Sequence, residues 1–214
     1  MATAMSDAVV YVVDDNPALC RALCRLLQAA GFDARAFGSG EEFLAHAHHE
    51  GPGCVILDVR MPGFSGLTLQ ARLGDLQQTL PIIFLTGHGS VSTTVRAMKG
   101  GALDVLEKPA DTEELLAAVR RAVALSRERS AARAARADIE HRLQTLTPRE
   151  RQVLELVVRG LLNRQIAAQL GTAEKTIKIH RGRVMQKMQA RSIADLVHMA
   201  ARVNLATGSD ATRS

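Results

Sequence analysis

Five residues able to do chemistry, Asp14, Asp15, Asp58, Thr86 and Lys108, stand at or just after the ends of short apolar runs. Those runs cover residues 9–13, 54–57, 82–85 and 103–106. Three carboxylates brought together repel one another and stay ionised only beside a divalent cation. Oxygen donors of this kind suit Mg2+, which readily shares its shell with phosphate oxygens. A hydroxyl from Thr86 and an ammonium from Lys108 would complete a site for a phosphoryl group.

Those residues meet only if the elements carrying them are parallel strands. Apolar runs of four or five residues alternating with helix-patterned stretches indicate a parallel sheet with helices on its faces. In such sheets ligands gather beyond the carboxyl ends of the strands. Asn16-Pro17 is an N-cap followed by proline at the first helical position, opening a helix over about residues 17–30 that stops at Gly31. A weak strand is expected over 33–37, and Ser39-Gly40-Glu41-Glu42 reads as a capping box opening a helix to about residue 49. Further helices are expected over 66–77 and 91–99, and one more after Asp111. The fold class is α/β: a doubly wound five-stranded parallel sheet, followed by a small all-α domain.

Asp14-Asp15, the stretch Asp58-Val59-Arg60-Met61-Pro62-Gly63, the run Leu85-Thr86-Gly87-His88-Gly89 and Glu107-Lys108-Pro109 together resemble a response-regulator receiver domain. The likeness covers residues 8–126 and is closest to the FixJ-like branch of transcriptional regulators. It implies that Asp58 is the phosphoacceptor. Asp14, Asp15, Asp58 and the backbone carbonyl of Arg60 would hold Mg2+, while Lys108 and Thr86 bind phosphoryl oxygens. It also implies a cis bond at Lys108-Pro109. Where the family usually carries an aromatic that turns inward on activation, this chain has Val105, so Thr86 and its loop must carry more of the switch. Val91, Val95 and Val105 are the expected dimerisation surface. Arg60 and His88 lie where family members tune phosphoryl lifetime. His46, His48 and His49 have no Cys/His partners at ligand spacing and read as a solvated helix end.

Composition narrows the alternatives. At 214 residues and 23.1 kDa the chain suits one large or two small domains. Aromatics make up 3% and Trp is absent, which disfavours a single-strand binder that stacks bases. No apolar stretch approaches the roughly 18 residues needed to span a membrane, and residues 1–7 lack the features of a signal peptide. A cytoplasmic protein is expected. Cys20, Cys24 and Cys54 read as reduced thiols acting as small hydrophobes, with a redox pair of Cys20 and Cys24 as the alternative. Residues 1–125 carry 10 Lys and Arg against 14 Asp and Glu, net −4; residues 126–214 carry 17 against 8, net +9. Only the back half is therefore suited to a polyanion.

Residues 127–142 have no Gly or Pro and are rich in Ala, Arg and Glu, so they read as a helical linker. Because that stretch is polar nearly all round, it is expected to cross solvent rather than bury a face; apolar a/d heptads for a coiled-coil stem are missing. Beyond it, Thr147-Pro148-Arg149-Glu150 is a capping box. Helices are expected over about 148–159, 163–170, 174–188 (capped by Thr172) and, from Ser192, to about 202. Two helices joined by a glycine-containing turn, the second basic on its open face, describe a helix-turn-helix. Leu146-Thr147-Pro148-Arg149-Glu150-Arg151, Asn163 with Ile166-Ala167, and Lys175-Thr176-Ile177-Lys178-Ile179-His180 resemble the LuxR-type DNA-binding domain over residues 143–205. That likeness implies base contacts from Lys178, Ile179 and Gly182. Lys175, Thr176, Arg181, Arg183 and Lys187 are phosphate-contact candidates.

The expected function is a phosphorylation-dependent transcription regulator, an activator rather than an enzyme. Its expected partners are a sensor histidine kinase, double-stranded promoter DNA, RNA polymerase and a second copy of itself. An aspartyl phosphohydrolase would share the nucleophile, but it needs a second carboxylate two residues later, where Arg60 stands. A constitutive DNA-binding protein whose receiver only dimerises is the other alternative, kept open by Val105.

Overall fold

The computed structural model describes residues 8–46, 51–74, 79–87 and 91–205. They divide into two compact units between Ala131 and Ala132. Of the expectations above, those for His48, His49 and His88, and for residues 47–49 and 75–77 as helix, lie outside the described residues.

The first unit contains strands β1 Val9–Val13, β2 Asp33–Phe37, β3 Gly53–Asp58, β4 Ile82–Thr86 and β5 Asp104–Glu107. Every pairing is parallel and the order is β2-β1-β3-β4-β5, so β3 is central. Successive side chains along a strand point to opposite faces, and the apolar residues divide accordingly. Val10, Val12, Cys54, Ile56, Ile83 and Leu85 pack on one face against α1 Pro17–Ala29 and α5 Thr112–Gln144. Tyr11, Val13, Val55, Leu57, Ile82 and Phe84 pack on the other against α2 Gly40–His46, α3 Gly66–Leu73 and α4 Val91–Lys99. Two buried faces explain why these strands read as continuous apolar runs.

Local sequence fixes the helix ends. Asn16 Oδ1 accepts from the backbone of Ala18 at 3.0 Å and Leu19 at 3.2 Å. The backbone of Glu42 donates to Ser39 Oγ, but the Glu42 carboxylate returns to the backbone of Gly38 rather than of Ser39. Helix α3 ends at Leu73, where Gly74 takes φ 47 and the helical path is left. Gln70 is buried in α3 and donates to the carbonyl of Ala97 in α4 at 3.1 Å, tying those helices together.

Helix α5 is held to the sheet as far as Ser126, whose hydroxyl accepts from the backbone of Gly53 and donates to the carbonyl of Thr79. From residue 127 to 138 no side chain is buried. Ile139 and Leu143 are then buried in the core of the second unit. Ile139, within the stretch expected to cross solvent, is therefore buried, on the same face as Leu143 one turn later.

That second unit adds α6 Pro148–Val158, α7 Asn163–Gln169, α8 Glu174–Met188 and α9 Ile193–Arg202. The capping box at α6 is reciprocal: Glu150 N–H donates to Thr147 Oγ1, and Thr147 N–H to Glu150 Oε2. Thr172 does not cap α8. Its N–H closes the end of α7 on the carbonyl of Ala167, and Ala173 occupies the cap position with no side-chain bond.

Candidate functional site

Strand register assembles the first site. Val13 pairs with Leu57, so Asp14 follows its strand beside Asp58, the last residue of β3. Asp58 pairs with Leu85, and Thr86 pairs with Glu107, which brings Thr86 and Lys108 to the same edge. Asp14, Asp15 and Asp58 each offer a carboxylate oxygen within 4.8 Å of the others. Lys108 Nζ bridges two of them, at 2.6 Å from Asp14 Oδ2 and 2.9 Å from Asp58 Oδ1. The Lys108-Pro109 bond is cis.

The loop after Asp58 is shaped by a close approach. Gly66, the first residue of α3, lies so near the Asp58 carbonyl that a methyl group there would collide with it. Only glycine admits this packing of α3 against the end of the central strand.

Burial pushes the Asp58 carboxyl up, and the Asp14 charge adds to this; the Lys108 hydrogen bond and charge and the Arg60 backbone oppose it, leaving a net rise. Burial works to lower Lys108, but the hydrogen bonds and charges of Asp14 and Asp58 outweigh it and raise its pKa. Three carboxylates gather here while the lysine pairs with two of them, and their hard oxygen donors are a set that fits a divalent cation. Thr86 Oγ1 is buried without a partner among the described residues, a hydroxyl in want of a ligand. Cys20, whose Sγ donates to the Asp14 carbonyl at 3.3 Å, is pushed up to about 11 by burial and then by the Asp14 charge. Burial pushes Cys54 up to about 12. Neither thiol is a ready nucleophile, since the thiolate is the reactive form.

Along α4, Val91, Val95 and Met98 are 82%, 43% and 47% exposed. Spacings of four and three residues make them one stripe. Met98 was missed in the sequence, although that spacing marks it. Val105 is half-buried at the edge of the second core.

The second site is the outer face of α8. Ile177, Val184 and Met188 are buried, while Lys175, Lys178, Ile179, Gly182 and Arg183 are exposed. Thr176 and Arg181 are half-buried, and Arg181 Nη1 donates to Asn163 Oδ1 at 2.7 Å. Lys187, expected as a phosphate contact, has internal partners in this structure. Its ammonium lies 2.7 Å from Glu150 Oε2 and donates to the Thr145 carbonyl at 3.0 Å. Glu150 is held below the usual carboxylate range by that hydrogen bond first and by the Thr147 backbone second. Sequence reasoning assigned no function to Glu150 or Asn163, because their partners lie 37 and 18 residues away.

Residues 10–120 match the response regulator receiver domain family, and residues 144–200 match the luxR family of bacterial regulatory proteins. Nodulation protein W of Bradyrhizobium diazoefficiens is 48% identical over 92% of this chain and 87% of its own length. The solved structure of the response regulator StyR is similar at a TM-score of 0.82 and 44% identity, covering 92% of this chain and 99% of that one. Full-length FixJ from B. japonicum is 40% identical at a TM-score of 0.55, covering 92% and 97%. No helix among the described residues is long and apolar enough to cross a membrane.

Proposed function

Because the chain belongs to the two-component response regulators that join a receiver to a luxR-family DNA-binding domain, we propose that phosphorylation of Asp58 controls its binding to promoter DNA, with activation of transcription as the outcome. The observation that carries this reading is the meeting of Asp14, Asp15 and Asp58 with Lys108 at the carboxyl edge of the sheet.

The donor is a phosphohistidine on a sensor kinase. An Asp58 carboxylate oxygen attacks phosphorus in line, the P–N bond breaks, and the electron pair leaves on the imidazole, which gains a proton. Mg2+ held by Asp14, Asp15, Asp58 and the Arg60 carbonyl would neutralise charge on the transferring group. Lys108 opposes the burial that raises the Asp58 carboxyl, and its ammonium is placed to pair with a phosphoryl oxygen afterwards. The Thr86 hydroxyl, buried without a partner among the described residues, is suited to donate to another. Movement of Thr86 would reach the stripe of Val91, Val95 and Met98 along the chain that joins them, and the Gln70–Ala97 bond ties α3 to that helix. Val105 has no ring to rotate, so the response is a graded shift toward a dimer. In the dimer two α8 helices act together at high effective concentration. RNA polymerase is the further partner that an activator requires.

The test is direct. Wild type and Asp58→Asn are incubated with Mg2+ and acetyl phosphate and weighed by mass spectrometry. Wild type should gain one phosphoryl group and the variant none; an equal adduct on the variant would remove Asp58 from its role.

A further inference from the structure

Two basic side chains of α8 are held by partners of different charge. Lys187 is held by a carboxylate, Glu150, which cancels its charge. Arg181 is held by a neutral amide, Asn163, the first residue of α7. A guanidinium carries five N–H donors in a planar fork. One bond to Asn163 therefore restrains the fork while leaving four donors and the whole positive charge. Arg181 stands one turn beyond Lys178 in sequence, on the flank of α8 between the exposed and buried stripes. An aspartate at 163 would bind the guanidinium more strongly, but it would also neutralise the charge and repel a phosphate.

We infer that Asn163 is a positioning residue for DNA binding: its carbonyl oxygen orients the Arg181 guanidinium to grip a backbone phosphate without cancelling its charge. The inference rests on the reading of α8 as the DNA-contacting helix. Phosphate contacts fix orientation and carry no sequence information, so the effect must be the same on any duplex.

The experiment uses the full chain and a fluorescently labelled duplex of mixed sequence, with binding followed by anisotropy across a KCl series. Asn163→Ala frees the fork but keeps its charge. Affinity should fall about threefold to tenfold, the worth of one net hydrogen bond, with the salt slope unchanged. Asn163→Asp keeps the hold but cancels the charge, so the slope should drop by about one, as in Arg181→Ala. The double variant Asn163→Ala with Arg181→Ala should bind no more weakly than Arg181→Ala alone. A structural role for Asn163 would lower the melting temperature and leave the slope of Asn163→Asp at the wild-type value. That slope, or additive effects in the double variant, overturns the inference. Should Asn163→Ala fail to fold, Asn163→Asp, which retains the contact, decides alone. Wild type showing no salt-dependent binding to the duplex would sink the DNA-binding reading itself, and the inference with it.

Discussion

Replacing Lys187 by Ala separates two roles for the same ammonium. In the structure it is internal: Glu150 is 2% exposed, Lys187 is 34% exposed, and the two are 2.7 Å apart. Removing one partner of a fully buried pair costs roughly 3–5 kcal/mol, whereas exposed pairs are worth less than about 1 kcal/mol. With one partner buried and the other about two-thirds covered, a loss of about 2–3 kcal/mol follows from those limits. For a unit of this size each kcal/mol moves the midpoint by about 4–8 °C, so the second unit should melt roughly 8–24 °C lower. Differential scanning calorimetry of the full chain reads this. The pH dependence gives a second check. A carboxyl whose pKa is lowered by folding contributes stability that is complete above its unfolded value and is lost as pH falls through the folded value. Glu150 is such a group. The gap between wild type and Lys187→Ala should therefore narrow as pH drops below the ordinary glutamate value of about 4.3. A variant that melts like wild type at neutral pH, yet loses one unit of salt slope on DNA, would refute the internal role and place the ammonium on a phosphate.

Lys178→Ala, on the exposed face of α8, should cost about 1–3 kcal/mol at a specific operator and relax discrimination there, while binding to mixed-sequence DNA changes little; competition binding checks both. Val95→Asp, in the middle of the α4 stripe, should abolish the beryllofluoride-dependent rise in mass measured by light scattering. Wild type should already show some dimer without beryllofluoride, and a monomer in both states at DNA-saturating concentration would remove the α4 face from the proposal.

The carboxylate and lysine cluster at the strand ends was legible because its parts are local. Each of Asp14, Asp58 and Thr86 ends or follows an apolar strand, and the two-residue period decides which neighbours are buried. Parallel register then brings the strand ends together with no information beyond the fold class. The α8 stripe of Ile177, Val184 and Met188 was legible for the same kind of reason, a helical repeat. What escaped depends on contacts between distant segments. Lys187 looks like any basic residue of a DNA-contacting helix until Glu150 comes up beneath it from α6. Thr172 has the side chain of a good cap, but the turn after α7 claims its N–H, and the cap position passes to Ala173. Ile139 stands among Arg, Ala and Asp in a stretch read as polar nearly all round, and Leu143 one turn later marks the same face.

The burial of Ile139 also sets where the chain can be cut. Trypsin cleaves after Arg and Lys, and Arg133 and Arg136 lie in the stretch where no side chain is buried. A nick at either leaves Ile139 attached to the carboxyl-terminal piece, with every apolar partner it has in that core. A nick at Arg142 strips that piece of Ile139 and of the guanidinium that donates to the Met188 carbonyl at the end of α8. Fragments beginning near residue 134 or 137 should therefore resist further digestion and retain their helices, while one beginning at residue 143 should be degraded.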